Sequence, residues 1–129
     1  MKKKIVSLLA CVLLLTACDS NKYETINSNV AMDLIENNNA IIIDVRTKDE
    51  YERGHIKDSV NNPIEIISDA GGTKEVFNID YDKETVIIVY CASGVRSASA
   101  AQILIDRGYT NVYNLDGGLI NWGFELVTE

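Results

Sequence analysis

Val86-Ile87-Ile88-Val89-Tyr90-Cys91-Ala92-Ser93-Gly94-Val95-Arg96-Ser97 is the most telling segment of this chain for its fold. Its first five residues are β-branched or aromatic, with no polar alternation. Such a run suits a strand buried on both faces of a parallel sheet. It stops at Cys91, and Gly94 punctuates the short loop after it. Ser97–Arg107 then reads as a helix, with Ser99, Gln102 and Asp106 on a polar face and Ala98, Ala101 and Ile105 opposite. The alanines let that helix approach a sheet closely, and Gly108 is placed to end it.

The same alternation extends outward. Ala40-Ile41-Ile42-Ile43-Asp44-Val45 is a second buried strand. A helix over Asn29–Glu36 precedes it, with Ser28 in the N-cap position and Asn37-Asn38-Asn39 closing it. Thr47 caps a short helix, Lys48–Arg53, with Glu50 as the third residue of a capping box and Gly54 as its end. Val60-Asn61-Asn62-Pro63 is a short strand ended by proline. Asn111–Leu115 is a further strand, and Gly117-Gly118 turns into a last short helix near Trp122. Residues 64–84 carry the weakest pattern. Ala70-Gly71-Gly72-Thr73 is a turn there, and Gly71-Gly72-Thr73-Lys74 lacks phosphate-loop spacing and reads as a plain loop. Strands alternating with helices define an α/β domain with a mostly parallel sheet.

In such a sheet ligands bind outside the carboxyl ends of the strands, where Cys91 stands. Backbone N–H groups of a tight loop and a helix N-terminus stabilise a thiolate there. Cysteines so placed fall well below the free thiol value of about 8.5. Gly94 permits the positive φ that a loop wrapped round one sulfur needs. Arg96 adds a fixed positive charge, and the small, uncharged Ala92 and Ser93 leave the mouth open. The competing reading is a buried structural cysteine, for which Ala-Ser-Gly-Val-Arg-Ser is a poor apolar context. His55, the single histidine, invites a Cys–His dyad but reads as structural. Asp44 and Arg46 read as a bracing ion pair, and Trp122 as packing. One histidine and one available cysteine cannot build a zinc site.

At 129 residues the chain makes one domain, large enough to bury a core without disulfides. The formal charge is −7, and the one basic run is Lys2-Lys3-Lys4. Without residues 1–17, nine basic side chains face nineteen acidic ones, a charge of −10. So acidic a body repels phosphate backbones, which argues against nucleic-acid binding. The lysines precede an apolar run from Ile5 to Leu15, the layout of an export signal and too short to span a bilayer. Leu15-Thr16-Ala17-Cys18 resembles a bacterial lipobox. That resemblance implies cleavage after Ala17 and diacylglycerol on Cys18. The expected layout is a signal peptide over 1–17, a lipidated tether over 18–23 and the folded domain over 24–129. Cys91 is then the one free thiol of an exported, lipid-anchored protein, at the outer face of the cytoplasmic membrane or in the periplasm.

Three motifs together resemble the rhodanese family. Ile43-Asp44-Val45-Arg46-Thr47, Glu50-Tyr51, Gly54-His55-Ile56, Ser59-Val60-Asn61 and Pro63 resemble its N-terminal signature. Cys91-x-x-Gly94-x-Arg96-Ser97 resembles its active-site loop. Gly108-Tyr109, Val112 and Gly117-Gly118 to Trp122 resemble its C-terminal pattern. The resemblance spans residues 24–127. It implies a mostly parallel five-stranded sheet with helices on both faces. It also implies a sulfurtransferase in which Cys91 attacks the sulfane sulfur of thiosulfate or a persulfide and yields it to a thiophilic acceptor. Cys91 and Arg96 would be catalytic, and Ala92, Ser93, Gly94, Val95 and Arg96 would bind substrate, with N–H groups of residues 92–96 cradling the persulfide. No cofactor or metal is implied. The expected partners are a small sulfur donor and a thiol or cyanide acceptor, with a thiol redox protein as one form of it. The expected assembly is a monomer that meets the membrane only through its lipid. A persulfide-carrying or sensing module is the alternative. A cysteine phosphatase or arsenate reductase is disfavoured, because those use Cys-x5-Arg and this loop is one residue shorter.

Overall fold

The computed structural model describes residues 22–129. The expected signal segment 1–17 with Cys11, the expected lipidation position Cys18 and the expected tether up to residue 21 lie outside the described residues. The elements are β1 (Glu24–Ile26), α1 (Ser28–Asn37), β2 (Ile41–Asp44), α2 (Lys48–Glu52), β3 (His55–Ile56), β4 (Val60–Asn61), β5 (Glu65–Asp69) and β6 (Gly72–Val76). They continue with β7 (Val86–Tyr90), α3 (Val95–Asp106), β8 (Asn111–Leu115), a 3-10 turn (Gly118–Asn121) and β9 (Leu126–Val127).

Five strands form the main sheet in the order β1-β8-β7-β2-β4, and every pair in it is parallel. The expected five-stranded parallel sheet is what forms. Successive side chains of a strand point to opposite faces. Accordingly Ile43, Ile87 and Val89 pack with Ala100, Ala101, Leu104 and Ile105 of α3 on one face. Ile42, Ile88 and Tyr90 pack with Ala31, Leu34 and Ile35 of α1 on the other. A run apolar at every position is thus required, because β7 lies mid-sheet with a helix layer on each side. Each such side chain contributes about 1.5–3 kcal/mol on full burial.

Several boundaries differ from expectation. The N-cap of α1 is Asn27, whose Oδ1 accepts the Val30 N–H at 3.0 Å. Ser28 is already helical and donates its hydroxyl to the Asn121 carbonyl at 2.9 Å. Helix α3 starts two residues earlier than expected, because Gly94, at φ +95°, takes the N-cap position. Its buried face carries Ser97, Ala100, Ala101, Leu104 and Ile105, and Ala98 is only half-buried. Gly71-Gly72-Thr73-Lys74 is not a plain loop: Gly72–Lys74 belong to β6, which pairs antiparallel with β5 across Ala70-Gly71. Strands this exposed carry no apolar alternation for the sequence to reveal. The short β1, and the antiparallel pairing of β3 with β9, likewise leave no pattern in the sequence.

Candidate active site

The chain leaves β2 toward β4 and leaves β7 toward β8, in opposite directions across the sheet. A crevice opens at the carboxyl ends of two neighbouring parallel strands where the connections diverge in this way. Cys91 follows β7 at that edge, and Thr47 and Glu50 follow β2.

The loop after β7 is built to present donors to one sulfur atom. Gly94 donates its N–H to Cys91 Sγ at 3.1 Å, and the Ser97 hydroxyl does so at 3.4 Å. Burial pushes the Cys91 thiol up. The Ser97 hydroxyl and the backbone N–H groups of Ser97, Ser93 and Gly94 outweigh that and hold it below its ordinary value. The local reason is the cap. Glycine at the N-cap has no side chain to take up the first N–H groups of α3, so those orphan donors serve the sulfur.

The loop's carbonyls have their own partners. Leu119 N–H bonds the Cys91 oxygen at 3.0 Å, and Ile120 N–H bonds the Ala92 oxygen at 3.1 Å. Asn114 Nδ2 donates to the Gly94 oxygen at 3.2 Å. The 3-10 turn approaches so closely that a Cβ on Gly118 would lie 2.3 Å from the Cys91 oxygen. Gly117-Gly118 is therefore part of the site as well as a turn.

Arg96 is braced rather than free. Its Nη1 and Nη2 donate to the two carboxylate oxygens of Glu50 at 2.7 and 2.9 Å. Arg96 holds Glu50 down to about 2 despite partial burial, helped by the Thr47 hydroxyl and N–H. In return Glu50 raises Arg96, and the Cys91 sulfur adds to that. Glu50 closes its capping box on Thr47 and bridges to the cysteine loop at once. Val95 is exposed at the first position of α3.

One expectation changes. Cys91 has no exposed surface and lies in the α3-side core cluster, so the mouth is not open over it. Small side chains at 92 and 93 therefore do not by themselves expose Cys91. The donors on Cys91 Sγ itself come from Ser93, Gly94 and Ser97. Sequence reasoning misses Ser97 and Glu50 as site residues. The signal for Ser97 is its place in the first turn of the helix after the cysteine.

The bracing readings are found. Arg46 Nη2 meets Asp44 Oδ2 at 2.7 Å in a buried pair and also donates to the Gly54 carbonyl. His55 is buried and stacked on Tyr51, and its two ring nitrogens meet the main-chain oxygens of Tyr51 and Glu129. It forms no dyad with Cys91. Trp122 packs against the α1-side core. Among the described residues, no group of three or more His, Cys, Asp and Glu could hold a metal.

A cysteine at a switch point with backbone and hydroxyl donors on its sulfur defines an α/β domain with a cysteine-centred candidate site. Residues 28–125 match the rhodanese-like domain. The chain belongs to that family. It is 32% identical over 100 residues to thiosulfate sulfurtransferase GlpE of Coxiella burnetii, covering 78% of this chain and 87% of that one. It is 30% identical over 120 residues to tRNA uridine(34) hydroxylase of Chlamydia felis, covering 90% of this chain but only 37% of that one. Among solved structures, a rhodanese-related protein from Thermoplasma volcanium aligns with TM-score 0.62 and 31% identity, over 83% of this chain and all of that one. A protein of Rhodopseudomonas palustris described as a possible tyrosine phosphatase aligns with TM-score 0.60 and 29% identity, over 78% and 79%.

Proposed function

We propose that the protein is a sulfurtransferase working through a Cys91 persulfide. The observation that carries this reading is the set of donors on Cys91 Sγ from Gly94 and Ser97, which holds a thiolate with no general base. The thiolate attacks the outer sulfur of a donor, thiosulfate or a thiol persulfide. The S–S bond of the donor breaks, its remaining part leaves with the electron pair as sulfite or thiolate, and Cys91 carries one added sulfur. A thiolate or cyanide then attacks that sulfur and leaves as a persulfide or thiocyanate, and Cys91 returns as thiolate. This is covalent catalysis in two half-reactions.

The Cys-x4-Arg spacing supports sulfur over phosphate, since a shorter ring of N–H groups fits a smaller target. The −10 charge of residues 18–129 weighs against a tRNA substrate. Lys2–Lys4, the apolar run and Leu15-Thr16-Ala17-Cys18 support placing this chemistry outside the cytoplasm on a lipid anchor, with a thiol redox protein as one natural acceptor and the chain acting as a monomer.

Treating the protein with thiosulfate or a thiol persulfide and measuring its intact mass tests the reading. One sulfur should be gained on Cys91 and lost again on adding cyanide. Cys91→Ser should gain none while keeping its fold. Equal loading of Cys91→Ser would remove Cys91 from the chemistry.

A further inference from the structure

Arg96 is the one charged side chain between Cys91 and Ser97, since Ala92, Ser93, Gly94 and Val95 carry none. Its two terminal nitrogens are both given to Glu50, in a bidentate pair of the strongest geometry for these groups. The element that supplies Glu50 is itself acidic: α2 carries Asp49, Glu50 and Glu52 against the single Lys48, which pairs with Glu52. The nearby cation Arg46 is buried and engaged with Asp44. Thiolate, Arg96 and Glu50 together leave one net negative charge at the reacting sulfur.

The rim of the loop carries two exposed apolar side chains beside the exposed Ser93. Val95 is 72% exposed, and Ile120, whose N–H is bonded to the Ala92 carbonyl, is 76% exposed. A sulfonate leaving group would meet isoleucine, valine and an arginine whose charge is already matched by Glu50. An organic group on sulfur would meet apolar surface.

We propose that Glu50 is a specificity-determining positioning residue. By occupying Arg96 it directs the site to a thiol persulfide, R–S–SH, and away from the thiosulfate dianion. This rests on the sulfurtransferase reading and narrows its donor. In the step, the Cys91 thiolate forms a bond to the outer sulfur of R–S–SH and the inner S–S bond breaks. The electron pair departs on RS⁻, and the new Cys91 persulfide keeps the proton. No oxidant or reductant enters. The carrier leaves past the Val95–Ile120 rim as a thiolate on an uncharged organic group, where sulfite would leave as a dianion.

The test compares mercaptoethanol persulfide with thiosulfate as donors, in the unaltered protein and in Glu50→Gln. Glutamine is equally suited to the third position of a capping box, so α2 keeps its cap while the negative charge is lost. In the unaltered protein kcat/KM for the persulfide should exceed that for thiosulfate by about 10²-fold or more, and the thiosulfate value should rise with salt as like charges are screened. Glu50→Gln should lower the ratio of the persulfide to the thiosulfate kcat/KM about 10-fold, chiefly through a lower KM for thiosulfate. A residue that only supported the fold would lower both kcat/KM values alike. Circular dichroism checks the fold of the variant, and the salt series needs no variant at all. Comparable values for both donors, or a salt-independent thiosulfate rate with no donor-selective change in Glu50→Gln, would overturn the inference while Cys91 still acquires sulfur. Failure of both donors to load Cys91 would instead remove the sulfurtransferase reading, and this inference with it.

Discussion

Ser97 donates a hydroxyl to Cys91 Sγ from the first turn of α3, and its backbone N–H acts on the same atom. Removing the hydroxyl leaves the backbone donors in place, so the thiolate should persist but form at higher pH. The sign is set by which state the hydroxyl favours. It stabilises the charged sulfur, so its loss raises the thiol toward its ordinary value. The acid limb of the rate profile then moves upward. A hydrogen bond to a charged group is worth about 1.5–3 kcal/mol and a pH unit about 1.4 kcal/mol, so Ser97→Ala should shift that limb by about one to two units. The check is the pH dependence of Cys91 alkylation by iodoacetamide, which reads the thiolate without any donor. An unmoved profile would assign the depression to the backbone alone. Arg96 illustrates the converse case: its charge is legible in the chain, but its partner Glu50, 46 residues earlier, reads there only as a helix cap.

At the scale of elements, the 3-10 turn Gly118–Asn121 is what holds the cysteine loop. It takes the carbonyls of Cys91 and Ala92 through the N–H groups of Leu119 and Ile120. Gly118 stands at φ +55°, with Cys91 O and Ala92 C inside the space a Cβ would need. Both obstacles are backbone, so neither can swing aside. Gly118→Ala should therefore cost about 2–4 kcal/mol from positive-φ strain and overpacking together. It should also displace the loop and cut sulfur loading of Cys91 by about 10²-fold or more, as a shift of about 1 Å in a reacting group can do. Urea unfolding gives the first quantity and single-turnover loading the second. A variant of native stability and full loading would show that the close approach is dispensable. The β5–β6 hairpin differs from this turn in how it is specified. Its main-chain pairing is regular, but its residues are mostly exposed, so no hydrophobic period marks it in the chain.

For the whole molecule, the order β1-β8-β7-β2-β4 puts the end of β7 beside the end of β2. That adjacency lets a helix cap after β2 and a helix N-terminus after β7 share one ion pair across the crevice. Beyond the folded domain, the N-terminal pattern carries its own prediction. Protein extracted from the native membrane should have the mass of residues 18–129 plus a diacylglyceryl lipid. An unmodified N-terminus at residue 18 or later would remove the anchor. Cys18→Ala should leave an uncleaved precursor. Among the described residues no helix is long and apolar enough to cross a membrane.

Local sequence is enough to specify the candidate nucleophile, the buried strands flanking it and the class of fold. A fully apolar run has to be buried on both faces, and a cysteine between a strand and a glycine-capped helix meets free N–H groups. The Asp44–Arg46 brace belongs with these, because the two residues lie two apart at one strand end. The surroundings of Cys91 come instead from tertiary packing. The pairing of Arg96 with Glu50, the hold of the 3-10 turn on the loop and the full burial of Cys91 all join segments separated by tens of residues. Such contacts depend on strand order and on the angle at which elements pack. Neither leaves a periodic mark in the sequence, since the same cap, the same glycine pair and the same arginine would read identically in any other arrangement of the strands.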